Sequence, residues 1–88
     1  MKILIYSSNL CPYCFAAKNL LKKLDLNYTE IVIDNKPQLK NQMISESNGK
    51  KTVPQIFFGD SHIGGYDDLK RIYDEGKISS MIGKKNEN

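Results

Sequence analysis

Residues 2–14 read KILIYSSNLCPYC and decide how the chain begins to fold. Lys2–Tyr6 is a short, nearly continuous β-prone run, typical of a strand that is buried on both faces. A polar turn follows over residues 7–10. Pro12 suits the first helical position, because the N–H that proline lacks would have no partner within the helix there. The pattern therefore predicts a strand that turns directly into a helix, with both cysteines of the chain at the start of that helix.

The next segment completes a strand–helix–strand unit. Apolar residues recur at i, i+3, i+4 and i+7, which indicates an amphipathic helix of about three turns. These residues are Ala17, Leu20, Leu21 and Leu24. Residues 28–33 (YTEIVI) read as a second strand. Because a helix separates the two strands, we expect them to be parallel, with a right-handed crossover.

A second helix is predicted to begin near Pro37. Its inner side carries three apolar residues, which are Leu39, Met43 and Ile44. Gly49 is expected as the left-handed residue that ends this helix. Residues 53–58 (VPQIFF) then predict a third strand that begins at a proline.

Residues 59–60 (GD) are a hairpin signal, and they lead into a short fourth strand over residues 61–63. Residues 64–65 (GG) form a tight turn into a third helix, which Gly76 breaks. The apolar positions of that helix and of a last helical turn are Leu69, Ile72 and Tyr73, then Ile78, Met81 and Ile82.

The element order β-α-β-α-β-β-α predicts an α/β fold with a four-stranded mixed sheet flanked by helices. A chain of 88 residues with 40% hydrophobic residues has enough apolar surface for one core. We therefore expect a single domain over residues 1–82 and a frayed polar tail over residues 83–88.

The net charge of +3 is mild, and the lysines are scattered in sequence. This argues against nucleic-acid binding, but it allows a small anionic ligand near a local basic spot. The apolar run at the start is far too short for a signal sequence or a membrane span. We therefore expect a cytoplasmic protein without membrane association. In a reducing compartment, a lone cysteine pair is catalytic or metal-binding more often than structural.

Cys11 and Cys14 are the only cysteines in the chain. At i and i+3 of a helical turn, their Cβ atoms would lie roughly 5–6 Å apart, close enough to form a disulfide. Cys11 would face the unpaired N–H groups and the positive dipole end at the helix start, which favour its thiolate. We therefore predict that Cys11 attacks as the nucleophile and that the more shielded Cys14 resolves the intermediate.

A zinc half-site is the main alternative for such a cysteine pair. Zinc usually takes four protein ligands in a structural site, and the chain adds only one histidine, His62, far away in sequence. We therefore expect no metal site. His62 is predicted to be a solvent-facing strand residue without a functional role.

Three motifs together resemble the signatures of the dithiol (class I, CPYC-type) glutaredoxins, in their order and spacing. They are Cys11-Pro12-Tyr13-Cys14, Thr52-Val53-Pro54 and Gly64-Gly65-Tyr66-Asp67-Asp68. The first motif alone is shared by all thioredoxin-like proteins, whereas the three together cover nearly the whole chain. The resemblance implies a thioredoxin-like (glutaredoxin) fold. It also implies glutathione as the electron donor and co-substrate, with no tightly bound cofactor.

The resemblance further implies a glutathione groove beside the cysteines. Pro54 would follow a cis peptide bond, and the Val53 backbone would pair with the cysteine of glutathione like an added strand edge. The first N–H groups of the third helix would bind the γ-glutamyl carboxylate, and an aspartate would face the α-amino group. The residues implied in the groove are Tyr13, Thr52, Val53, Pro54, Gly65, Tyr66, Asp67 and Asp68.

One position departs from the family pattern. Many glutaredoxins carry a lysine three residues before the first cysteine, where it binds the glycine carboxylate of glutathione, but this chain has Ser8. The departure removes a charge-assisted contact of about 1.5–3 kcal/mol. Lys50 and Lys51 are candidate substitutes, and Asn41 falls where family members carry a glutamine or arginine contact.

The activity that the resemblance implies is reduction of protein–glutathione mixed disulfides and of protein disulfides by a monomeric enzyme. Ribonucleotide reductase is one candidate among the disulfide-containing protein partners. Two alternatives stay open. One is a thioredoxin-like reductant of ribonucleotide reductase that a flavin reductase supplies with electrons. The other is an iron–sulfur binding module, with a cluster held by Cys11 and glutathione from two chains.

Overall fold

A mixed four-stranded sheet lies at the centre of the protein, in a computed structural model that describes residues 1–82. The elements are β1 (Ile3–Ser7), α1 (Pro12–Lys23), β2 (Thr29–Val32), α2 (Pro37–Glu46), β3 (Gln55–Phe58), β4 (Ser61–Gly64), α3 (Tyr66–Asp74) and α4 (Ile78–Ile82). The predicted element order is confirmed, including the short last helix. The predicted frayed tail falls on residues 83–88, which lie outside the described residues.

The strands are ordered β2-β1-β3-β4 across the sheet. β1 and β2 are parallel, as predicted, because α1 returns the chain to the end of the sheet where β1 began. β3 is antiparallel to β1, and β4 is antiparallel to β3. The turn that carries the cysteines therefore leaves the sheet from a central strand, β1, which is held by a neighbouring strand on each side.

β1 is buried on both faces, as its apolar run predicts. On one face, Ile3 and Ile5 pack into the larger core cluster with residues of α1, α3 and α4. On the other face, Tyr6 packs against Met43 of α2 and Phe57 of β3. The helices therefore lie on both sides of the sheet, with α2 alone on the second side.

Tyr6 also joins α2 to the sheet through its hydroxyl group. The hydroxyl donates a hydrogen bond to Glu46 Oε1 (2.6 Å) and accepts one from Gln42 Nε2 (2.9 Å). Burial, followed by the bond to Glu46, raises the pKa of Tyr6 to about 12. The hydroxyl therefore stays a donor at neutral pH, and α2 is held in place before the chain enters the segment that precedes β3.

The end of α2 differs from the prediction by one position. The helix ends at Glu46, and Asn48 (φ 60°) is the first residue in the left-handed region, before Gly49 (φ 92°). The Gly49 N–H then closes the helix by donating to the carbonyl oxygen of Ile44 (2.8 Å). Asparagine tolerates the left-handed region better than most residues, so it takes the place expected for the glycine.

Glu30 joins three elements near the edge of the sheet. Its Oε2 atom accepts hydrogen bonds from Lys18 Nζ of α1 (2.8 Å) and from Ser7 Oγ of β1 (2.5 Å). These two bonds, that of Lys18 first, hold the pKa of Glu30 below its ordinary value of 4.5. The carboxylate therefore stabilises the end of β1 from which the cysteine turn departs.

Replacing Glu30 by glutamine is expected to lower the free energy of unfolding by about 1 kcal/mol at pH 7, because the ion pair with Lys18 is lost and the Ser7 hydroxyl no longer donates to a charged acceptor. The folded-state pKa is lowered, so this stabilisation is complete above 4.5 and is lost as the pH falls through the folded-state pKa. Urea unfolding of the two proteins over acidic pH should show the difference shrinking toward zero.

The matched control is Glu75→Gln, which alters the ion pair between Glu75 and Lys77, two largely exposed side chains. This variant should change the free energy of unfolding by less than about 1 kcal/mol at every pH. A Glu30→Gln difference that did not depend on pH would contradict the assigned contribution.

Candidate active site

The two cysteines lie at the N-terminus of α1 and are joined as a disulfide. Cys11 is the N-cap residue, with extended backbone (φ −133°, ψ 103°), and Pro12 is the first helical residue. Cys14 lies one turn into the helix, with its Cα atom 5.1 Å from that of Cys11. This is the i, i+3 arrangement that the sequence predicts.

The two sulfur atoms differ in exposure and in electrostatic environment. Cys14 is only 1% exposed, whereas Cys11 is half-buried. The Cys14 N–H donates a hydrogen bond to Cys11 Sγ (3.0 Å), and the first turn of α1 carries no acidic residue. The N–H donor and the helix dipole both stabilise negative charge on Cys11 Sγ. Cys11 is therefore the sulfur that is better placed to meet a substrate as a thiolate.

The segment before β3 faces Cys11. The Val53–Pro54 peptide bond is cis, as the resemblance implies, and the Val53 carbonyl oxygen lies 3.8 Å from Cys11 Sγ. β3 begins only at Gln55, two residues later than predicted, because Pro54 has no N–H to donate to a strand ladder. Val53 therefore lies outside the sheet, beside the sulfur, where an extended peptide could pair with its backbone.

The start of α3 forms the opposite wall. Gly65 is the N-cap residue, and its N–H donates to Asp68 Oδ2 (3.0 Å). The other oxygen of this carboxylate accepts from Arg71 Nη1 (3.3 Å). Asp68 is thus engaged in capping the helix. Asp67, which is exposed, is the aspartate better placed to face an amino group of a ligand.

Between these two walls lies an open groove of about 250 Å³. Its lining consists of Tyr13, Lys50, Thr52, Val53, Pro54, Gln55, Gly65, Tyr66, Asp67 and Asp68. All of these except Gln55 were predicted from the sequence. The rings of Tyr13 and Tyr66 lie 6.2 Å apart at one side of the groove. Lys51 and Asn41, the other two candidates, are exposed and do not line it.

Ser8, at the position where many glutaredoxins have a lysine, is bonded to an acidic residue. Its hydroxyl donates to Asp34 Oδ1 (2.6 Å), and the Asn9 N–H donates to Asp34 Oδ2 (2.8 Å). These bonds, that of Ser8 first, hold the pKa of the Asp34 carboxyl below its ordinary value. The turn before Cys11 is therefore fixed to the end of β2 by a carboxylate, where the family pattern would supply a cation.

Gln55 is the groove residue that sequence reasoning missed, and its partner His62, which lies on a strand as predicted, is less exposed to solvent than expected. His62 is partly buried: its ring lies 4.9 Å from that of Phe57, and its Nε2 atom is 2.6 Å from Gln55 Oε1. The only signal in the sequence was a polar residue within an otherwise apolar strand, since a buried amide must find hydrogen-bond partners.

Sequence reasoning also passed over two apolar residues that flank the cysteine pair. Leu10 is 95% exposed and Phe15 is 63% exposed, beside Tyr13 at 62%. Large apolar side chains on the surface of a small protein are informative when they cluster. Here they lie next to the disulfide in the chain, where a protein substrate would have to approach.

Two further findings concern residues 1–82. No helix in this range is long and apolar enough to cross a membrane. Within the same range, no three histidine, cysteine, aspartate or glutamate side chains are grouped so that they could hold a metal ion.

Comparison with known protein families gives one consistent result. The glutaredoxin family model matches residues 3–63. A glutaredoxin from Pseudomonas aeruginosa is 39% identical over 80 residues, covering 91% of this chain and 94% of the relative. Glutaredoxin 1 from Rickettsia prowazekii is 44% identical over 81 residues, covering 91% of this chain and 85% of the relative.

Solved structures agree with these sequence relatives. The solution structure of a glutaredoxin from Brucella melitensis superposes with a TM-score of 0.81 and 40% identity, covering 98% of this chain and 95% of the other. The crystal structure of a buckwheat glutaredoxin–glutathione complex gives a TM-score of 0.82 and 29% identity, covering 91% and 74%. The sequence matches, the fold and the disulfide-forming cysteine pair at the start of α1 therefore all indicate the same family. The chain belongs to the glutaredoxin family, as a dithiol member with thiol–disulfide oxidoreductase function.

Proposed function

We propose that the protein is a glutathione-dependent oxidoreductase that reduces protein–glutathione mixed disulfides and protein disulfides in the cytoplasm. The observation that carries the proposal is the groove between Val53 and the start of α3, which opens beside Cys11 Sγ. A tripeptide thiol fits such a groove only if its sulfur reaches Cys11 while its two ends find partners. No tightly bound cofactor is needed, because glutathione is the co-substrate.

Each part of glutathione has a partner of suitable chemistry in the groove. The Val53 backbone would pair with the central cysteine residue of glutathione, which brings the glutathione sulfur to Cys11. The N–H groups of Tyr66 and Asp67 lie in the first turn of α3, which attracts the γ-glutamyl carboxylate. The Asp67 carboxylate would then face the neighbouring α-amino group, because Asp68 is engaged as a helix cap.

The glycine carboxylate of glutathione is assigned to Lys50. Lys50 lines the groove, whereas Lys51 does not, and Ser8 is bonded to the Asp34 carboxylate. The Lys50 ammonium would thus replace the contact that a lysine three residues before the first cysteine supplies in many glutaredoxins. Because the surroundings of Lys50 are exposed, the contribution of this ion pair is expected to be modest.

The reaction proceeds by thiol–disulfide exchange. The Cys11 thiolate attacks the glutathione sulfur of a protein–glutathione mixed disulfide, and the protein leaves as a thiol. A second glutathione attacks the Cys11–glutathione disulfide, which releases oxidised glutathione and restores Cys11. For a protein disulfide, the Cys11 thiolate attacks one sulfur to form a mixed disulfide and releases the other as a thiol. Cys14 then displaces the substrate from Cys11, and two glutathione molecules reduce the Cys11–Cys14 bond and leave as oxidised glutathione.

Protein substrates are supported by the exposed apolar side chains of Leu10, Tyr13 and Phe15. Such side chains can pack against a protein that presents its disulfide to Cys11. Glutathionylated proteins and proteins with disulfides, including ribonucleotide reductase as a candidate, would meet the enzyme at this surface. The enzyme would act as a monomer, since one chain supplies both cysteines and both walls of the groove.

The decisive experiment supplies electrons from two different sources. With glutathione, glutathione reductase and NADPH, the protein should turn over a glutathionylated peptide efficiently. With a thioredoxin reductase and NADPH but no glutathione, reduction of the Cys11–Cys14 disulfide should be negligible. The opposite result would instead support the thioredoxin-like reductant, which the Ser8–Asp34 bond at the family lysine position favours.

A matched pair of lysine variants provides the control within the same assay. Lys50→Ala should raise the KM for glutathione about two- to fivefold, as expected for an exposed ion pair. Lys51→Ala, which removes the same charge from the next residue in the chain, should leave the KM unchanged. Equal effects of the two variants would mean that only net charge matters and would contradict the assignment to Lys50.

A further inference from the structure

Gln55 is a polar side chain that is nearly fully buried in the wall of the groove. It is 3% exposed, and a buried amide that lacks hydrogen bonds destabilises the protein. Its Nε2 atom donates to the Thr52 carbonyl oxygen (3.0 Å), with Thr52 Oγ1 at 3.4 Å. Its Oε1 atom lies 2.6 Å from His62 Nε2. The amide thus links the segment before β3 to the neighbouring strand.

The chemistry of the groups determines the direction of these bonds. A carbonyl oxygen can only accept, so the Gln55 atom that contacts the Thr52 carbonyl must be the NH₂ group. The remaining amide atom is then an oxygen, which also only accepts. His62 must therefore carry a proton on Nε2 and donate it to Gln55 Oε1.

His62 is itself held in position by the sheet. It lies on β4 directly opposite Phe57 of β3, and the two rings are 4.9 Å apart and 31° from parallel. Gln55 and Phe57 are two positions apart on β3, so their side chains lie on one face of the sheet. A cross-strand pair and its diagonal neighbour therefore bring the His62 ring to the Gln55 amide.

The segment that Gln55 holds is the one that faces the reactive sulfur. Thr52 immediately precedes Val53, whose carbonyl oxygen lies 3.8 Å from Cys11 Sγ. His62 does not line the groove, whereas Thr52, Val53 and Gln55 do. Any influence of His62 on a ligand is therefore indirect, and the Gln55 amide is its hydrogen-bonded link to the groove.

We propose that His62 is a positioning residue for glutathione, which acts by donating a hydrogen bond to Gln55 and so fixes the Thr52–Pro54 wall of the groove. The inference rests on the proposed use of glutathione. Loss of the donor leaves Gln55 Oε1 buried without a partner, and the amide is then free to turn away from Thr52. The wall next to Cys11 loses its fixed position, so binding of glutathione weakens while the cysteine pair itself is unaltered.

The test measures binding without redox chemistry, with S-methylglutathione as the probe and NMR titration of the oxidised protein as the readout. His62→Phe keeps an aromatic ring against Phe57 but removes the donor, and it should weaken binding about tenfold. His62→Gln restores an N–H donor and should recover most of that loss. In the Gln55→Leu background, His62→Phe should add little further loss, because the two residues act as one unit.

The outcomes separate this inference from the proposed function. No binding of S-methylglutathione to the unaltered protein would overturn both proposals. If the unaltered protein bound S-methylglutathione and His62→Phe bound it equally well, only the positioning role would be overturned. Additive losses in the double variant, Gln55→Leu with His62→Phe, would also overturn that role alone. Urea unfolding of each variant identifies a general loss of stability, which would weaken the His62→Phe and His62→Gln proteins alike.

A measurement on the unaltered protein completes the test. ¹⁵N NMR of the imidazole ring, at a pH where the ring is neutral, should show the proton on Nε2. A ring with its proton on Nδ1 could not donate to Gln55 and would overturn the proposal without any substitution.

Discussion

Replacing Cys11 by serine is expected to abolish reduction of both glutathione mixed disulfides and protein disulfides, leaving the uncatalysed rate. Every bond exchange in the proposed reaction begins or ends on this sulfur, and a serine hydroxyl is not ionised at neutral pH. The Cys14 N–H and the helix dipole stabilise a thiolate but cannot ionise an alcohol. Measurement requires only the glutathione-coupled assay with each of the two substrate types.

Cys14→Ser is the matched variant, and it should separate the two activities. Reduction of a glutathionylated peptide should stay within about threefold of the unaltered protein, because no bond to Cys14 forms in that route. Reduction of a protein disulfide should fall to background, since nothing displaces the substrate from Cys11. Equal loss of both activities in Cys14→Ser, or survival of either activity in Cys11→Ser, would contradict the assigned roles.

Gly64→Ala is expected to weaken glutathione binding by more than tenfold, for two reasons that act together. Gly64 has φ 119°, a region that L side chains rarely adopt, so alanine there is strained. A Cβ atom at Gly64 would also collide with the Asp68 carboxylate. That carboxylate would have to leave the Gly65 N–H that it caps, and the first turn of α3 would lose its position in the groove. Titration with S-methylglutathione measures the effect.

Gly76→Ala is the control for strain alone. Gly76 also has a positive φ (71°), but a Cβ atom there meets open space, and the residue lies beyond α3, away from the groove. This variant should lower the free energy of unfolding by about 1 kcal/mol without a change in glutathione binding. If Gly64→Ala bound glutathione as well as Gly76→Ala does, the α3 wall would not contribute to the site.

Much of the fold could be predicted from the sequence because local patterns decide it. The spacing of Ala17, Leu20 and Leu21 alone places α1 against the sheet, where all three are buried. The apolar run at the start predicts a strand buried on both faces, and β1 contributes to both core clusters. The end of α2 was less predictable, because Asn48 and Gly49 can both adopt left-handed backbone. The neighbouring residues do not favour one of the two as the residue that ends the helix.

The lining of the candidate groove was predictable where motifs of adjacent residues form it, but contacts that cross between elements were not. The bond from Ser8 to Asp34 spans 26 residues and exists because parallel strands bring two chain segments to one edge of the sheet. The contact of His62 with Gln55 depends on the register of β3 and β4, which contains an irregularity between Ile56 and Phe57. A hydrophobic pattern does not specify such a register shift, so the contact between His62 and Gln55 could not be predicted from the sequence.

The burial of Cys14 in the first turn of α1 has a kinetic consequence. A thiol that attacks the disulfide from solution is expected to meet Cys11, because Cys14 is 1% exposed, so the covalent complex should form on Cys11. The released Cys14 thiol stays one helical turn away, at a high effective concentration. The lifetime of each covalent complex is therefore set by the sum of two rates, recapture by the neighbouring thiol and arrival of a second thiol from solution, and their ratio decides which route ends the complex. A partner that blocks the approach of a second thiol is therefore expected to leave through attack by Cys14.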